Sequence, residues 1–136
     1  MLLVEDHHPF RRHICAILES NPHLQVIGTS DDGPKAVQQA IALQPDIILL
    51  DIGLPGINGL EAARQIREAC GQAKIIFLTQ ESSPEVVDEA WSVGALGYII
   101  KTNAGSEVFA AIEAVTKGQR FLSRGLDSPS PSLRKA

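Results

Sequence analysis

The chain has 136 residues, 44% of them hydrophobic and 21% charged, with a formal net charge of −4. That size and apolar share suit one globular domain with its own core, and the acidic balance leaves no basic footprint, so direct nucleic-acid binding by this segment is not expected. No apolar run reaches the length of a membrane span and no basic, apolar, small-residue leader opens the chain, so neither membrane insertion nor secretion is supported and the cytoplasm is the expected compartment.

In chain order, short apolar runs of strand length alternate with longer runs of helical periodicity. The predicted strands are Leu2 to Val4, Leu24 to Gly28, Ile47 to Leu50, Ile75 to Leu78 and Tyr98 to Ile100. Between and after them, apolar residues recur at helical spacing: Phe10, Ile14, Ile17 and Leu18; Val37, Ala40 and Ile41; Leu60, Ala63 and Ile66; Val87, Ala90 and Trp91; Val108, Ile112 and Val115. Pro9, Pro34 and Pro84 suit first helical turns, Asn58 with Glu61 resembles a capping box, and Ser106 is a candidate cap for the last helix. Gly94 and Gly118 suit helix ends. Trp91 falls on the apolar face of its helix, a core position. Cys15 and Cys70 lie in different helical stretches without a Cys-x-x-Cys spacing and read as reduced thiols in or near the core. The tail, "SRGLDSPSPSLRKA", is Ser/Pro-rich without helical periodicity, so residues 1–123 are the expected domain and 124–136 a linker or disordered terminus.

Strict alternation of strand and helix predicts an α/β domain, a doubly wound parallel sheet of five strands covered by helices. The third and fourth runs are apolar throughout and read as central strands, whereas Gln25 marks the second as an edge. In open parallel sheets ligands bind outside the carboxyl ends of the strands. There the first strand ends in Glu5 and Asp6, the third in Asp51, the fourth in Thr79 and the fifth in Lys101. The order 2-1-3-4-5 collects all of them on one edge. Singly, each has a plain alternative: a turn or helix cap for an Asp, a loop hydrogen bond for Thr79, a solvated Lys101. Together they are harder to dismiss. Carboxylates ~4 Å apart repel by roughly 4 kcal/mol at an effective dielectric near 20, so three of them need a cation or must hold protons. An all-oxygen donor set favours Mg²⁺ over zinc. His7 and His8 lie beside these carboxylates and are weaker metal candidates. With Lys101 and Thr79 opposite, the cluster is suited to hold a phosphoryl group on Asp51.

The segments "LLVEDHHPFRR", "ILLDIGLPGINGLEAARQIR", "IIFLT" and "GALGYIIK" resemble the receiver domain of bacterial two-component response regulators, over residues 1 to about 123. Their wording is most similar to the NarL/FixJ-type branch, whose receivers usually precede a LuxR-type helix-turn-helix domain. The resemblance implies a flavodoxin-like (βα)5 fold and a domain that catalyses its own phosphorylation and dephosphorylation rather than an enzyme in the usual sense. It implies Asp51 as the phosphoacceptor, facing the phosphohistidine of a sensor histidine kinase. Mg²⁺ would be bound by Asp6, Asp51 and the Gly53 carbonyl, with Glu5 acting through water. Lys101 would pair with the phosphate, Thr79 would donate its hydroxyl to it, and Thr79 with Tyr98 would form the switch that alters the face of helix four, strand five and helix five. A phosphorylation-dependent homodimer and transcription regulation through a DNA-binding domain absent from this chain are further implications. Excision from a longer regulator is the favoured account of the tail.

Three features depart from the family pattern: only Met1 to Val4 precede the acidic pair, Gln80 replaces the small residue common after the switch threonine, and Thr102 follows Lys101 where many receivers have proline. A flavodoxin-like cofactor domain would need a phosphate-cradling loop where "EDHHPF" is acidic, a cobalamin domain a glycine at Arg11, and a dehalogenase-type phosphatase a second acid at Gly53. A pseudo-receiver acting only as a protein-interaction module is the remaining alternative, against which the intact Glu5, Asp6, Asp51, Thr79 and Lys101 argue.

Overall fold

The computed structural model describes residues 1–126. Its elements run β1 (Leu2–Val4), α1 (His8–Glu19), β2 (Gly28–Ser30), α2 (Gly33–Leu43), β3 (Ile47–Leu50), α3 (Gly59–Ala69), β4 (Lys74–Thr79), α4 (Pro84–Ser92), β5 (Gly97–Ile100), α5 (Ala104–Thr116) and β6 (Phe121–Leu122). A 3₁₀ turn over Lys101–Asn103 joins β5 to α5. Every strand pair is parallel, and the sheet order is β2-β1-β3-β4-β5-β6. The expected doubly wound, flavodoxin-like sheet is therefore present, with one strand more than the five predicted.

Alternation of side chains along the strands builds two cores. Leu2, Val4, Ile48, Leu50, Ile75, Phe77 and Tyr98 face one side, where they meet residues of α2, α3 and α4 such as Ala40, Ile66 and Val87. Leu3, Ile47, Leu49, Ile76, Leu78 and Ile99 face the other, against Ile14 and Leu18 of α1 and Val108, Ile112 and Val115 of α5. Local chemistry starts the helices as expected: Pro9, Pro34 and Pro84 occupy first turns, and Asn58 Oδ1 accepts a 2.9 Å hydrogen bond from the Glu61 amide. Gly94 and Gly118 follow α4 and α5 with φ of 95° and 75°, a conformation that closes helices readily only at glycine. Trp91 packs half-buried against the first core, and both Cys15 and Cys70 are free thiols.

Three expectations change. The second strand is Gly28–Ser30, not Leu24 to Gly28, because β1 pairs with it in the register Leu2↔Gly28 to Val4↔Ser30. Leu24 and Val26 instead pack from the loop onto the second core. β2 is nonetheless an edge, as Gln25 suggested. A two-residue sixth strand, too short to show periodicity, lies beside β5. Ser106 does not cap α5: the 3₁₀ turn lets the helix begin at Ala104, so Ser106 sits inside the first turn and its hydroxyl donates to the Asn103 carbonyl at 3.1 Å. Of the predicted tail, residues 127–136 lie outside the described residues.

The β3–α3 connection is tight because Gly59 lets the start of α3 press on the strand end. Its amide donates to the Ile52 carbonyl at 2.7 Å, and a Cβ there would stand 2.0 Å from the Asp51 carbonyl oxygen. Gly59→Ala is expected to lower stability by about 2 kcal/mol or more in urea titration, as overpacking against an unyielding backbone does. Gly105→Ala, whose Cβ meets nothing within 4 Å, should be neutral or stabilise by up to about 1 kcal/mol through helix propensity.

Candidate functional site

Parallel pairing sets the strand ends level. Val4 is opposite Leu50, so Glu5 and Asp51 leave β1 and β3 side by side, and Thr79 is opposite Ile100, so Lys101 follows directly from the same level of β5. The Asp51 amide still belongs to the ladder, donating to the Val4 carbonyl at 3.1 Å. Beyond it the chain turns back, and Asp51 Oδ1 accepts from the Ile52 amide at 2.7 Å and the Gly53 amide at 3.4 Å. That anchoring fixes the carboxylate and leaves Oδ2 facing Lys101, whose Nζ donates to it at 3.0 Å.

Lys101 Nζ also lies 2.8 Å from Glu5 Oε1. Glu5 is buried, its Oε2 accepts from the His7 amide at 3.0 Å, and its Oε1 has the ion pair but no aligned hydrogen bond. Asp6 is exposed at the rim. Among the described residues, Glu5, Asp6 and Asp51 are the one group suited to hold a metal ion, each offering an oxygen within 4.8 Å of the others. Three carboxylates against one ammonium leave the cluster with surplus negative charge, and buried Glu5 Oε1 has the Lys101 ion pair but no hydrogen bond. A hard divalent cation fits both features.

The first turn of α1 braces this arrangement. The Phe10 ring lies beneath Lys101, with Nζ 4.9 Å from its centroid, and Arg11 Nη1 donates to the Glu5 carbonyl at 2.7 Å. An open cleft of about 700 Å³ runs over the strand ends, lined among others by Asp6, Asp51, Gly53, Thr79, Gln80 and Lys101. Thr79 is almost fully buried, yet its Oγ1 accepts from the Glu81 amide at 3.3 Å, so its own proton is free to be donated into the cleft. Tyr98 is not in the cleft. Its side chain is buried in the first core and its hydroxyl donates to the Glu81 carbonyl at 2.7 Å. His7 lines the cleft without joining the metal-suited group, and His8 is exposed at the start of α1.

Burial pushes the Glu5 carboxyl above its ordinary range and the Asp51 charge adds to this, more than Lys101 and the His7 amide offset. Burial disfavours the Lys101 ammonium, but its bonds to Glu5 and Asp51 outweigh that and raise its pKa. Burial, then the charges of Glu81 and Asp51, raise the Tyr98 phenol, which stays a neutral donor. Sequence reasoning placed Glu5, Asp6, Asp51, Thr79 and Lys101 together correctly. It counted Phe10 as core and gave Arg11 no part in the site, because their contacts with Lys101 and Glu5 depend on how α1 docks.

Comparison with known proteins gives the family of the chain. The model of the response regulator receiver domain matches residues 1–113. Transcriptional regulatory protein LiaR of Bacillus subtilis is 39% identical over 119 residues, covering 88% of this chain and 56% of that protein. Response regulator UvrY of Escherichia coli K12 is 38% identical over 122 residues, covering 90% and 56%. A crystal structure of a LuxR-family two-component response regulator from Aurantimonas sp. SI85-9A1 superimposes with a TM-score of 0.86 at 33% identity, covering 90% of this chain and 88% of that one. The chain belongs to the response regulator receiver family of two-component systems. Within it the relatives place it in the NarL/FixJ-type branch, and it spans just over half the length of LiaR and UvrY. No helix among the described residues is long and apolar enough to cross a membrane.

The raised Glu5 pKa has a stability consequence of definite sign. The folded state holds the Glu5 proton more tightly than the unfolded chain, so this group's contribution falls as pH rises from the ordinary carboxylate value of 4.5 through the raised one. Ionised Glu5 thus costs stability at neutral pH without metal. Glu5→Gln should melt higher than wild type at pH 8 in chelator, by roughly 4 °C per kcal/mol relieved, and the gap should close at pH 4. Thermal melts at both pH values test it, and a lower midpoint for the variant at pH 8 would contradict the assignment.

Proposed function

We propose that this receiver accepts a phosphoryl group on Asp51 from the phosphohistidine of a sensor histidine kinase, with Mg²⁺ held by Asp6, Asp51 and the Gly53 carbonyl and by Glu5 through water. The observation that carries the reading is the Lys101 ammonium held between Asp51 and Glu5 beside carboxylate oxygens within 4.8 Å of one another. A carboxylate oxygen of Asp51 attacks phosphorus, the phosphorus–nitrogen bond of the donor breaks, and the imidazole leaves as its electron pair returns to nitrogen. Mg²⁺, when bound, would neutralise phosphoryl oxygens as charge builds on them. Anchored by the Ile52 amide, Asp51 is preoriented for attack. Lys101 pairs with the transferred group, and Thr79, whose oxygen accepts from the Glu81 amide, donates its own hydroxyl proton to a phosphoryl oxygen. Because the Glu81 carbonyl also holds the Tyr98 hydroxyl, movement of Thr79 reaches the face of α4, β5 and α5.

The LuxR/NarL kinship supports a transcriptional output through a DNA-binding domain not contained in this segment, acting in the cytoplasm, with a homodimer that forms on phosphorylation. Residues 1–123 would be the signal-receiving unit.

Incubated with Mg²⁺ and acetyl phosphate or phosphoramidate, the protein should gain one phosphate by intact mass. Asp51→Asn should gain none, Asp6→Ala should be labelled far more slowly while remaining folded, and chelator should suppress labelling of wild type. Undiminished labelling of Asp51→Asn would remove the central claim.

Gln80 is exposed at the cleft and stands beside the approach to Asp51. Its long side chain shields the phosphoryl group from donor and water alike, so Gln80→Ala should speed both labelling and hydrolysis. About tenfold corresponds to ~1.4 kcal/mol. Time-resolved mass spectrometry checks this, and rates within about twofold of wild type would mean that the side chain does not shield.

A further inference from the structure

The Lys101 ammonium rests against three groups: Glu5 Oε1 at 2.8 Å, Asp51 Oδ2 at 3.0 Å and the Phe10 ring, whose centroid lies 4.9 Å from Nζ. A cation within about 6 Å of a ring centroid is attracted by the negative face of the ring, and the attraction grows as water is excluded. Water is largely excluded at this point, since the Lys101 side chain is only 13% exposed.

The ring is seated from several sides. Phe10 is half-buried against the second core, and its ring meets that of His13, one turn further along α1, at 6.3 Å and 49°. Arg11, next in the chain, ties the same helical turn to the Glu5 carbonyl at 2.7 Å. The ring thus reaches the ammonium from the helix, while the carboxylates reach it from the strand ends. Filling space on the second core needs only an apolar side chain of similar volume; holding a cation needs a π face.

These three contacts fare differently during phosphoryl transfer. An Asp51 oxygen is taken up by the incoming phosphorus, and Asp51 and Glu5 both belong to the oxygen set suited to a divalent cation. Metal and phosphorus therefore compete with Nζ for the carboxylates. A neutral ring binds neither of them, so its hold on the ammonium survives the change. An interaction speeds a step only when it is stronger in the transition state than before it. In the resting site two carboxylates already fix Nζ and the ring adds little. Once they turn to metal and phosphorus, the ring is the support that remains.

We propose that Phe10 is a positioning residue for phosphoryl transfer, its π face keeping the Lys101 ammonium beside the phosphoryl oxygens while Asp51 and Glu5 are engaged elsewhere. The inference rests on the reading of Asp51 as phosphoacceptor. Phe10 touches no reacting atom and acts through Lys101. With phosphoramidate as donor, a bond forms from an Asp51 oxygen to phosphorus, the phosphorus–nitrogen bond breaks, and ammonia leaves with the electron pair, its three protons already on nitrogen.

Fluorinated phenylalanines placed at Phe10 by codon suppression test the assignment, because fluorine drains the π face while leaving the ring nearly unchanged in shape and no less apolar. Labelling of the full chain by phosphoramidate with Mg²⁺, read by intact mass, should slow stepwise as fluorines are added. The trifluorinated ring should be slower by about tenfold, or ~1.4 kcal/mol. Affinity for beryllofluoride, a phosphoryl mimic, should fall in the same order. The same replacements at Phe109, exposed on α5, should leave both readouts within about twofold of wild type. Phe10→Leu should match the trifluorinated ring, and Phe10→Tyr, which keeps a π face, should restore the rate; if Phe10→Leu is poorly folded, the fluorine series decides alone. Rates and mimic affinities indifferent to fluorine number, or a folded Phe10→Leu as fast as Phe10→Tyr, would overturn the proposal and leave Phe10 a core residue. Failure of the unmodified protein to be labelled would instead overturn the reading of Asp51 and the inference with it.

Discussion

The ammonium of Lys101, held 3.0 Å from Asp51 and 2.8 Å from Glu5, is the contact on which the arrangement of the cleft depends. Without a positive charge at that point, two nearly buried carboxylates would face each other where water cannot screen them, and one would have to keep its proton. The constraint reaches back into the sheet. Lys101 meets Asp51 only because β4 separates β5 from β3 and because all strands run parallel with their ends level. A shift of one residue in the pairing of β1, β3, β4 or β5 would exchange the side chains that face the two cores along a whole strand and move the strand ends that set the ion pair. Core packing and site geometry therefore enforce the same register.

Helix α1 supplies the brace. Its first turn carries Phe10 beneath the ammonium and Arg11 onto the carbonyl of Glu5, so the loop of acidic residues is held at both the charge and the backbone. Ile14 and Leu18, further along the helix, anchor that turn in the second core. On the opposite side, Gly59 brings the start of α3 against the Asp51 carbonyl, a closeness no larger residue allows. Rigidity at the base contrasts with the open cleft above, where Asp6 and Gln80 are exposed. That division suits a group that must be preoriented yet reachable by a donor as large as a protein.

The other half of the molecule is organised around Tyr98. Its ring is wholly buried in the first core, while its hydroxyl reaches the loop after Thr79 and its carbonyl meets the chain beyond α5. One residue thus touches the cleft side, the core and the exit segment. Burial and the charges of Glu81 and Asp51 all oppose ionisation of its phenol, so its role there is that of a hydrogen-bond donor.

The sequence by itself determined the alternation of strands and helices, the parallel doubly wound sheet, its central strands and the residues gathered at its edge. Each of these follows from local periodicity, from caps such as Asn58, or from the rule that parallel strands expose their carboxyl ends to ligands. Tertiary structure alone decided what depends on partners distant in the chain. The second strand begins at Gly28 because β1 chooses that register, although the more apolar residues Leu24 and Val26 come earlier. Phe121 and Leu122 become a strand because the β5 edge is there to receive them, and two residues carry no period of their own. Phe10 and Arg11 enter the site, and Glu107 acquires its partners, through helix docking that brings together groups as much as 91 positions apart, from Phe10 to Lys101. Local pattern fixes which face of an element is apolar; only packing fixes what each polar or aromatic side chain on its border will touch.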